Sequence, residues 1–211
     1  MKVKVCGLTN AADAAFAAAE GADFLGFVVH PPSPRHCANL AEASSEVRDR
    51  AVLVTVTDDS EVIIRMASAT GIRNIQPHVS PEHRNKVIQR LKSEGYFILL
   101  PWSDDWDKVT IPSDLYIWES NLKETGVAGG SGRTHAMTFP PPGAFLLAGG
   151  LHADNLRERV ALCHAEARIH LQGFDAASRL EISPGIKDPL KVRAFIQTAK
   201  SMTAEVYHAR D

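Results

Sequence analysis

The sequence predicts an α/β fold, a single (β/α)8 or TIM barrel over residues 1–211, and three observations predict it. Short β-rich runs alternate with helical stretches along most of the chain. The runs are apolar almost throughout, as expected of parallel strands buried on both faces. Eight of them can be found, and no glycine-rich phosphate loop follows the first: Cys6-Gly7-Leu8-Thr9 is not G-x-G-x-x-G, and the glycine pairs lie late in the chain. A doubly wound open sheet would want the opposite arrangement.

The elements follow in order. Lys2 to Cys6 is the first strand, rich in valine. Asn10 can cap the next helix, with Asp13 in its first turn and Gly21 as its stop. Phe24 to Val29 is the second strand, Leu40 to Val47 a weak helix and Ala51 to Val56 the third strand. Asp59 caps a helix through Ala69, and Asn74 to Gln76 is a short fourth strand. Pro81 to Ser93 places Val87, Ile88 and Leu91 on one helical face. Tyr96 to Leu100 and Leu115 to Trp118 are strands five and six, with irregular or abbreviated helices expected after each. Ala144 to Ala148 is strand seven, Asp154 to His164 helical, Ile169 to Ala176 strand eight, and Asp188 to Ala199 the last helix.

Composition narrows the function. Hydrophobic residues make up 45% and charged residues 23%, values of an ordinary folded domain. A net charge of -2, without basic runs interleaved with aromatics, argues against nucleic acid. The start lacks the apolar run of a signal peptide, and no segment reaches the roughly 20 apolar residues of a membrane span. Three scattered cysteines, Cys6, Cys37 and Cys163, suit a reducing cytoplasm. Nine histidines form no H-x-H or H-E-x-x-H pattern, so no metal and no cofactor are expected. The expected partner is a small molecule or another protein.

In such a barrel, reactive side chains sit at the C-terminal ends of strands. Those positions hold Cys6, His30, Arg35, Gln76, His78, Glu119, Gly149-Gly150, Asp175 and Ser178. A thiol at the end of strand one could act as a base if polar or cationic neighbours lowered its pKa. Glu119 could be a general acid if the apolar mouth raised its own. Gly129-Gly130-Ser131-Gly132 and Gly149-Gly150 could offer backbone N–H groups to a phosphate. The planar fork of Arg35 suits a carboxylate. Each has a bland alternative: a packing cysteine, a solvated glutamate, simple turns, a surface cation.

Taken together, several stretches resemble the phosphoribosylanthranilate isomerase family. Lys4-Val5-Cys6-Gly7-Leu8-Thr9 is similar to its opening K-[VI]-C-G-[LI]-T. Gly21-Ala22-Asp23-Phe24-Leu25-Gly26-Phe27 and Ser33-Pro34-Arg35 follow in the family's order. Then come the two glycine runs, the second within Leu147-Ala148-Gly149-Gly150-Leu151, and finally Pro184-Gly185-Ile186-Lys187-Asp188. The resemblance covers essentially the whole chain. It implies an Amadori rearrangement of a phosphorylated aminosugar in tryptophan biosynthesis, with Cys6 as base and Glu119 as acid. Arg35, Gln76, His78 and Asp175 would bind substrate; Gly130, Gly149, Gly150, Ser178 and Arg179 would hold its phosphate. It also allows association with neighbouring enzymes of that pathway.

Four departures from the pattern stand out. Glu119 occupies an aspartate position, and Gln76-Pro77-His78-Val79 replaces Q-L-H-G. In Phe174-Asp175-Ala176-Ala177-Ser178-Arg179-Leu180-Glu181, Ala177 replaces a serine and Arg179 a phosphate-loop glycine. Asp175, Ser178 and Glu181 are kept. The changes leave open two other readings: a paralogue acting on another phosphorylated aminosugar, and a non-catalytic barrel that binds a ligand or partner.

Overall fold

A computed structural model of the chain describes residues 1–102, 113–119 and 140–202. Eight parallel strands close into a barrel in sequence order. They are β1 (Lys2–Cys6), β2 (Phe24–Val29), β3 (Ala51–Val56), β4 (Asn74–His78), β5 (Phe97–Trp102), β6 (Leu115–Glu119), β7 (Phe145–Ala148) and β8 (Leu171–Ala176). The helices around them are α1 (Ala11–Ala19), α2 (Leu40–Ala43), α3 (Ser60–Thr70), α4 (Pro81–Ser93), α5 (Leu156–Ala161), α6 (Ala165–Arg168) and α7 (Pro189–Ser201).

Alternation along each strand explains why the runs are apolar almost throughout. One set of side chains, among them Val52, Val54, Leu99, Leu115, Ile117 and Leu146, fills the barrel interior with Phe24 and Cys6. The other set, including Val3, Val5, Leu25, Phe27, Leu53, Ile75, Tyr116 and Phe174, packs outward against Ile63, Ile88, Leu91, Phe195 and Ile196 of the helices. Both layers exclude water, so an unpartnered polar group on either face carries a desolvation cost.

Helix starts follow side-chain caps. Asn10 accepts from the Asp13 amide, Asp59 from Glu61 and Val62, and Asp188 from Leu190 and Lys191. Gly71, in the left-handed region, closes α3.

Some boundaries differ from the sequence expectation. The helix expected over Leu40 to Val47 ends at Ala43, because the Ser44 and Ser45 hydroxyls bond back to the carbonyls of Leu40 and Glu42. β4 runs on to His78 through Pro77. Pairing with β3 continues to the end, whereas pairing with β5 stops at Ile75. The helix expected over Asp154 to His164 breaks into a 3-10 turn (Ala153–Asn155), α5 and α6. The Arg168 guanidinium bridges the break, donating to the carbonyls of Cys163 and Ala161. After β8 the sequence suggested no element, yet a 3-10 turn (Ser178–Leu180) leads into a hairpin of β9 (Glu181–Ser183) and β10 (Ile186–Lys187). The segments expected to be irregular after β5 and β6 lie outside the described residues.

Closure depends on Gly173. A Cβ there would stand 1.8 Å from the carbonyl oxygen of Lys2, on the strand that β8 must join. Gly173→Ala is therefore expected to cost more than about 4 kcal/mol. Thermal unfolding, or loss of soluble protein, would measure it; a wild-type melting temperature would refute the steric reading.

Candidate active site

At the C-terminal mouth, β1 ends in Cys6 and turns through Gly7, whose φ of 76° lies in the left-handed region. A Cβ on Gly7 would meet the Arg35 Cδ at 2.6 Å. Glycine is needed there on both counts, and Arg35 lies across the end of β1 as a result. The far wall is closed in the same way. Gly185, at φ 83°, packs against Thr9, Pro34 and Arg35, and its carbonyl accepts from the Thr9 hydroxyl at 2.6 Å. Two stretches some 176 residues apart thus hold one arginine.

Arg35 does not wait unpaired for a ligand. Its Nε and Nη2 donate to both oxygens of Glu181 at 2.8 Å, on one edge of the guanidinium. Nη1 and the second hydrogen of Nη2 point away from that edge, and the side chain remains 25% exposed. Lys187 approaches Glu181 from the other side at 3.0 Å and also donates to the Ala177 carbonyl. Burial alone would raise the Glu181 carboxyl, but hydrogen bonds from Arg35 and Lys187 outweigh it and hold the group below the usual carboxylate range.

Beneath Cys6, within the barrel, Lys4 is fully buried and its Nζ lies 3.0 Å from both oxygens of Asp175. Burial opposes the ammonium, yet the Asp175 carboxylate and the Cys6 sulfur outweigh it, and Lys4 is pushed up to about 12. Asp175, one of the expected substrate ligands, is therefore engaged with Lys4 inside the barrel. For Cys6 the expected lowering does not prevail. Burial pushes its thiol up, and Lys4 and Lys187 only partly offset this.

Glu119 ends β6 and is exposed, with Ala148 of β7 beside it. The described residues leave its side chain open to solvent. Its charge reaches Asp175 across the mouth. On β4, Gln76 is buried and its Nε2 lies 3.1 Å from the His78 Nε2, while its Oε1 has no partner among the described residues. His78 is half-buried at the strand end.

Gly149 and Gly150 follow β7 with φ of 96° and 66°, consecutive left-handed residues that no other amino acid adopts readily. Asn155 ties this turn down, donating to the Gly150 carbonyl and accepting from the His152 amide. Ser178 and Arg179 are exposed in the 3-10 turn after the neighbouring β8. That turn contains no positive φ, so an arginine at the family's glycine position is not strained. Gly130 lies outside the described residues. Among the described residues no group of three His, Cys, Asp or Glu is arranged to hold a metal.

The barrel thus gathers Cys6, Arg35, Glu119, Gln76, His78, the Gly149–Gly150 turn, Ser178 and Arg179 at one mouth. Three residues for which the sequence reading gave no role complete it: Lys4, Glu181 and Lys187. All are charges in otherwise apolar or motif segments, and a lysine facing a barrel interior was the available signal.

Such a constellation marks a (β/α)8-barrel enzyme doing acid–base chemistry at its C-terminal mouth. The profile of N-(5'phosphoribosyl)anthranilate (PRA) isomerase matches residues 3–198, and the chain belongs to that family. The N-(5'-phosphoribosyl)anthranilate isomerase of Methanothermobacter marburgensis is 33% identical over 210 residues, covering 89% of each chain. That of Pelobacter propionicus is 31% identical, over 97% of this chain and 98% of its own. Among solved structures, TrpF from Jonesia denitrificans superposes with a TM-score of 0.75 at 26% identity, over 97% and 98% of the two chains. A phosphoribosyl anthranilate isomerase in complex with reduced 1-(o-carboxyphenylamino)-1-deoxyribulose 5-phosphate shares the fold, with a TM-score of 0.67 at 23% identity over 95% and 99%. The chain is an isomerase of tryptophan biosynthesis.

Glu181 should behave as a structural anion for the arginine. Glu181→Gln leaves two cations without their carboxylate and is expected to cost on the order of 3 kcal/mol. Because the folded carboxyl is held below its ordinary value of 4.5, its contribution is present above that pH and is lost as pH falls through the lowered value. Acid titration of the melting temperature should show this step in the wild type and not in Glu181→Gln. Identical acid limbs in both would exclude the assignment.

Proposed function

We propose that the chain converts N-(5-phosphoribosyl)anthranilate to the 1-deoxyribulose 5-phosphate product with Cys6 as general base and Glu119 as general acid. Glu119, protonated, gives its proton to the ribose ring oxygen. The ring C1′–O bond breaks as the anilino nitrogen lone pair forms the Schiff base. The Cys6 thiolate then takes the proton from C2′; the electrons of that C–H bond form the C1′=C2′ double bond as the C=N pair returns to the nitrogen, leaving an enol amine. Tautomerisation yields the ketone. No cofactor or metal is required.

The observation that carries this reading is a thiol and a carboxyl group at one barrel mouth beside a guanidinium whose remaining donors no described residue takes up. The outward N–H groups of Arg35 suit the anthranilate carboxylate, in the geometry that a planar fork favours. The amides of Gly149 and Gly150, the Ser178 hydroxyl and the Arg179 guanidinium suit the phosphate. Gln76 and His78 line the other side and bind the sugar. Asp175 acts from below, through Lys4, more than by direct contact. A cytoplasmic setting fits three free cysteines, and association with neighbouring pathway enzymes rests on the family alone. Among the described residues no helix is long and apolar enough to cross a membrane.

Turnover of freshly generated phosphoribosylanthranilate, followed as loss of its fluorescence, tests the roles. Cys6→Ala and Glu119→Gln should each lower kcat by about 10²–10⁴-fold with modest changes in KM. Glu119→Asp should keep or raise the rate. Near-wild-type turnover in either of the first two variants removes that residue from the mechanism.

The pH profile follows from the burial of Cys6. A base whose proton is held more tightly than usual is in its active form only at higher pH. The limb of kcat/KM assigned to Cys6 should rise through the alkaline range, with its midpoint above the ordinary thiol value of 9.0. A plateau already reached at neutral pH would contradict it.

A further inference from the structure

We propose that Lys4 is the positioning residue of the base: its buried ammonium, anchored on Asp175, sets the Cys6 sulfur toward the thiolate form. The inference rests on the reading of Cys6 as the base and names the group that makes it one.

Lys4 and Cys6 are two apart on β1 and so face the same side of the strand, the barrel interior. Lys4 is wholly buried, with both oxygens of Asp175 at 3.0 Å, and its charge acts on the Cys6 sulfur one step along the same face. A lysine stem is long and mobile, and here the two-point contact with a carboxylate fixes its head. The β1–β8 register sets this contact, since Lys4 and Asp175 are paired across the closing seam.

The surrounding charges leave a vacancy for one anion. Against Cys6 stand Lys4 on β1, Asp175 on β8, Lys187 on β10 and Arg35 after β2. Glu181 on β9 meets the last two, and Glu119 on β6 reaches Asp175 from its exposed position. The facing position of β2 is Gly26, without a side chain, and β4 brings Gln76 and His78 to the same mouth. Among the described residues of the enclosed part, the three cations Lys4, Lys187 and Arg35 oppose the two carboxylates Asp175 and Glu181. A thiolate at Cys6 would offset the remaining positive charge, a pull that burial of the sulfur outweighs. Burial works against the thiolate, Lys4 is the strongest influence in its favour, and Asp175 opposes it.

This assigns opposite signs to two substitutions that would both weaken a merely structural ion pair. The test is the rate of Cys6 alkylation by iodoacetamide against pH, read by peptide mass so that Cys37 and Cys163 are counted separately. In Lys4→Met the midpoint should rise by about one pH unit or more, a roughly tenfold loss of thiolate below it. The kcat/KM limb should move with it. In Asp175→Asn, which keeps the ammonium and removes the opposing anion, the midpoint should fall, and in Lys4→Arg it should stay near that of the wild type. Unchanged midpoints, or a rise in both Lys4→Met and Asp175→Asn, overturn the proposal. If Lys4→Met does not fold, Asp175→Asn decides alone: a fall supports the proposal, and no change or a rise overturns it. Turnover by Cys6→Ala separates the two levels. Retained activity there refutes Cys6 as base, while the alkylation midpoints still report on Lys4.

Discussion

Barrel closure brings the first and last strands side by side, and the register in which they meet sets Lys4 against Asp175. Much else depends on that seam. Gly173 lets the two backbones approach, β1 delivers Cys6 to the mouth, and β8 leads directly into the turn and hairpin that carry Ser178, Arg179, Glu181 and Lys187. A buried lysine paired with a buried aspartate contributes little net stability, because desolvation offsets most of the attraction. Breaking one partner is nonetheless costly. The pair thus makes the seam intolerant of slippage: a shift of one residue would turn both charges into the apolar layer under the helices.

The same logic joins the opening and closing motifs. Gly7 and Gly185 clear the space in which Arg35 lies against Glu181. The sequence alone could show that these stretches belonged together in order, but not that they touch. Contact across some 146 residues of chain is a product of closure, and no local pattern reports it.

Where local physics dominates, the sequence was legible. Apolar runs, side-chain caps and the αL glycine after α3 located eight strands and the long helices, with β2, β3 and α4 matching residue for residue. Legibility failed where a competing local bond or a tertiary contact decides. The seryl hydroxyls shorten α2, Arg168 bridges α5 and α6, and the β9–β10 hairpin has strands of only three and two residues, too short for periodicity to register. At the site, residue types were visible but pairings were not. Arg35 was read as a fork suited to a carboxylate, and the structure shows one edge of it on the carboxylate of Glu181, a pairing the sequence did not announce. Cys6 was expected to be eased toward thiolate, and burial proves the larger effect.

Burial also separates the positions that can vary from those that cannot. Cys6 is enclosed: a Cβ on Gly26 would stand 2.8 Å from its sulfur, and Lys4 lies directly below. A larger side chain at either position would have to displace backbone or break the buried pair. Glu119, at the end of β6, and Arg179, in the 3-10 turn after β8, are exposed at the rim, and neither has a positive φ. One extra methylene in the acid can be absorbed by rotation of a solvated side chain, and an arginine can stand where a glycine was not needed for its φ. The two departures that most distinguish this chain from the family pattern therefore fall on the tolerant side of the mouth. They alter the exposed rim and leave intact the enclosed side, where Cys6 is held above Lys4 and Asp175.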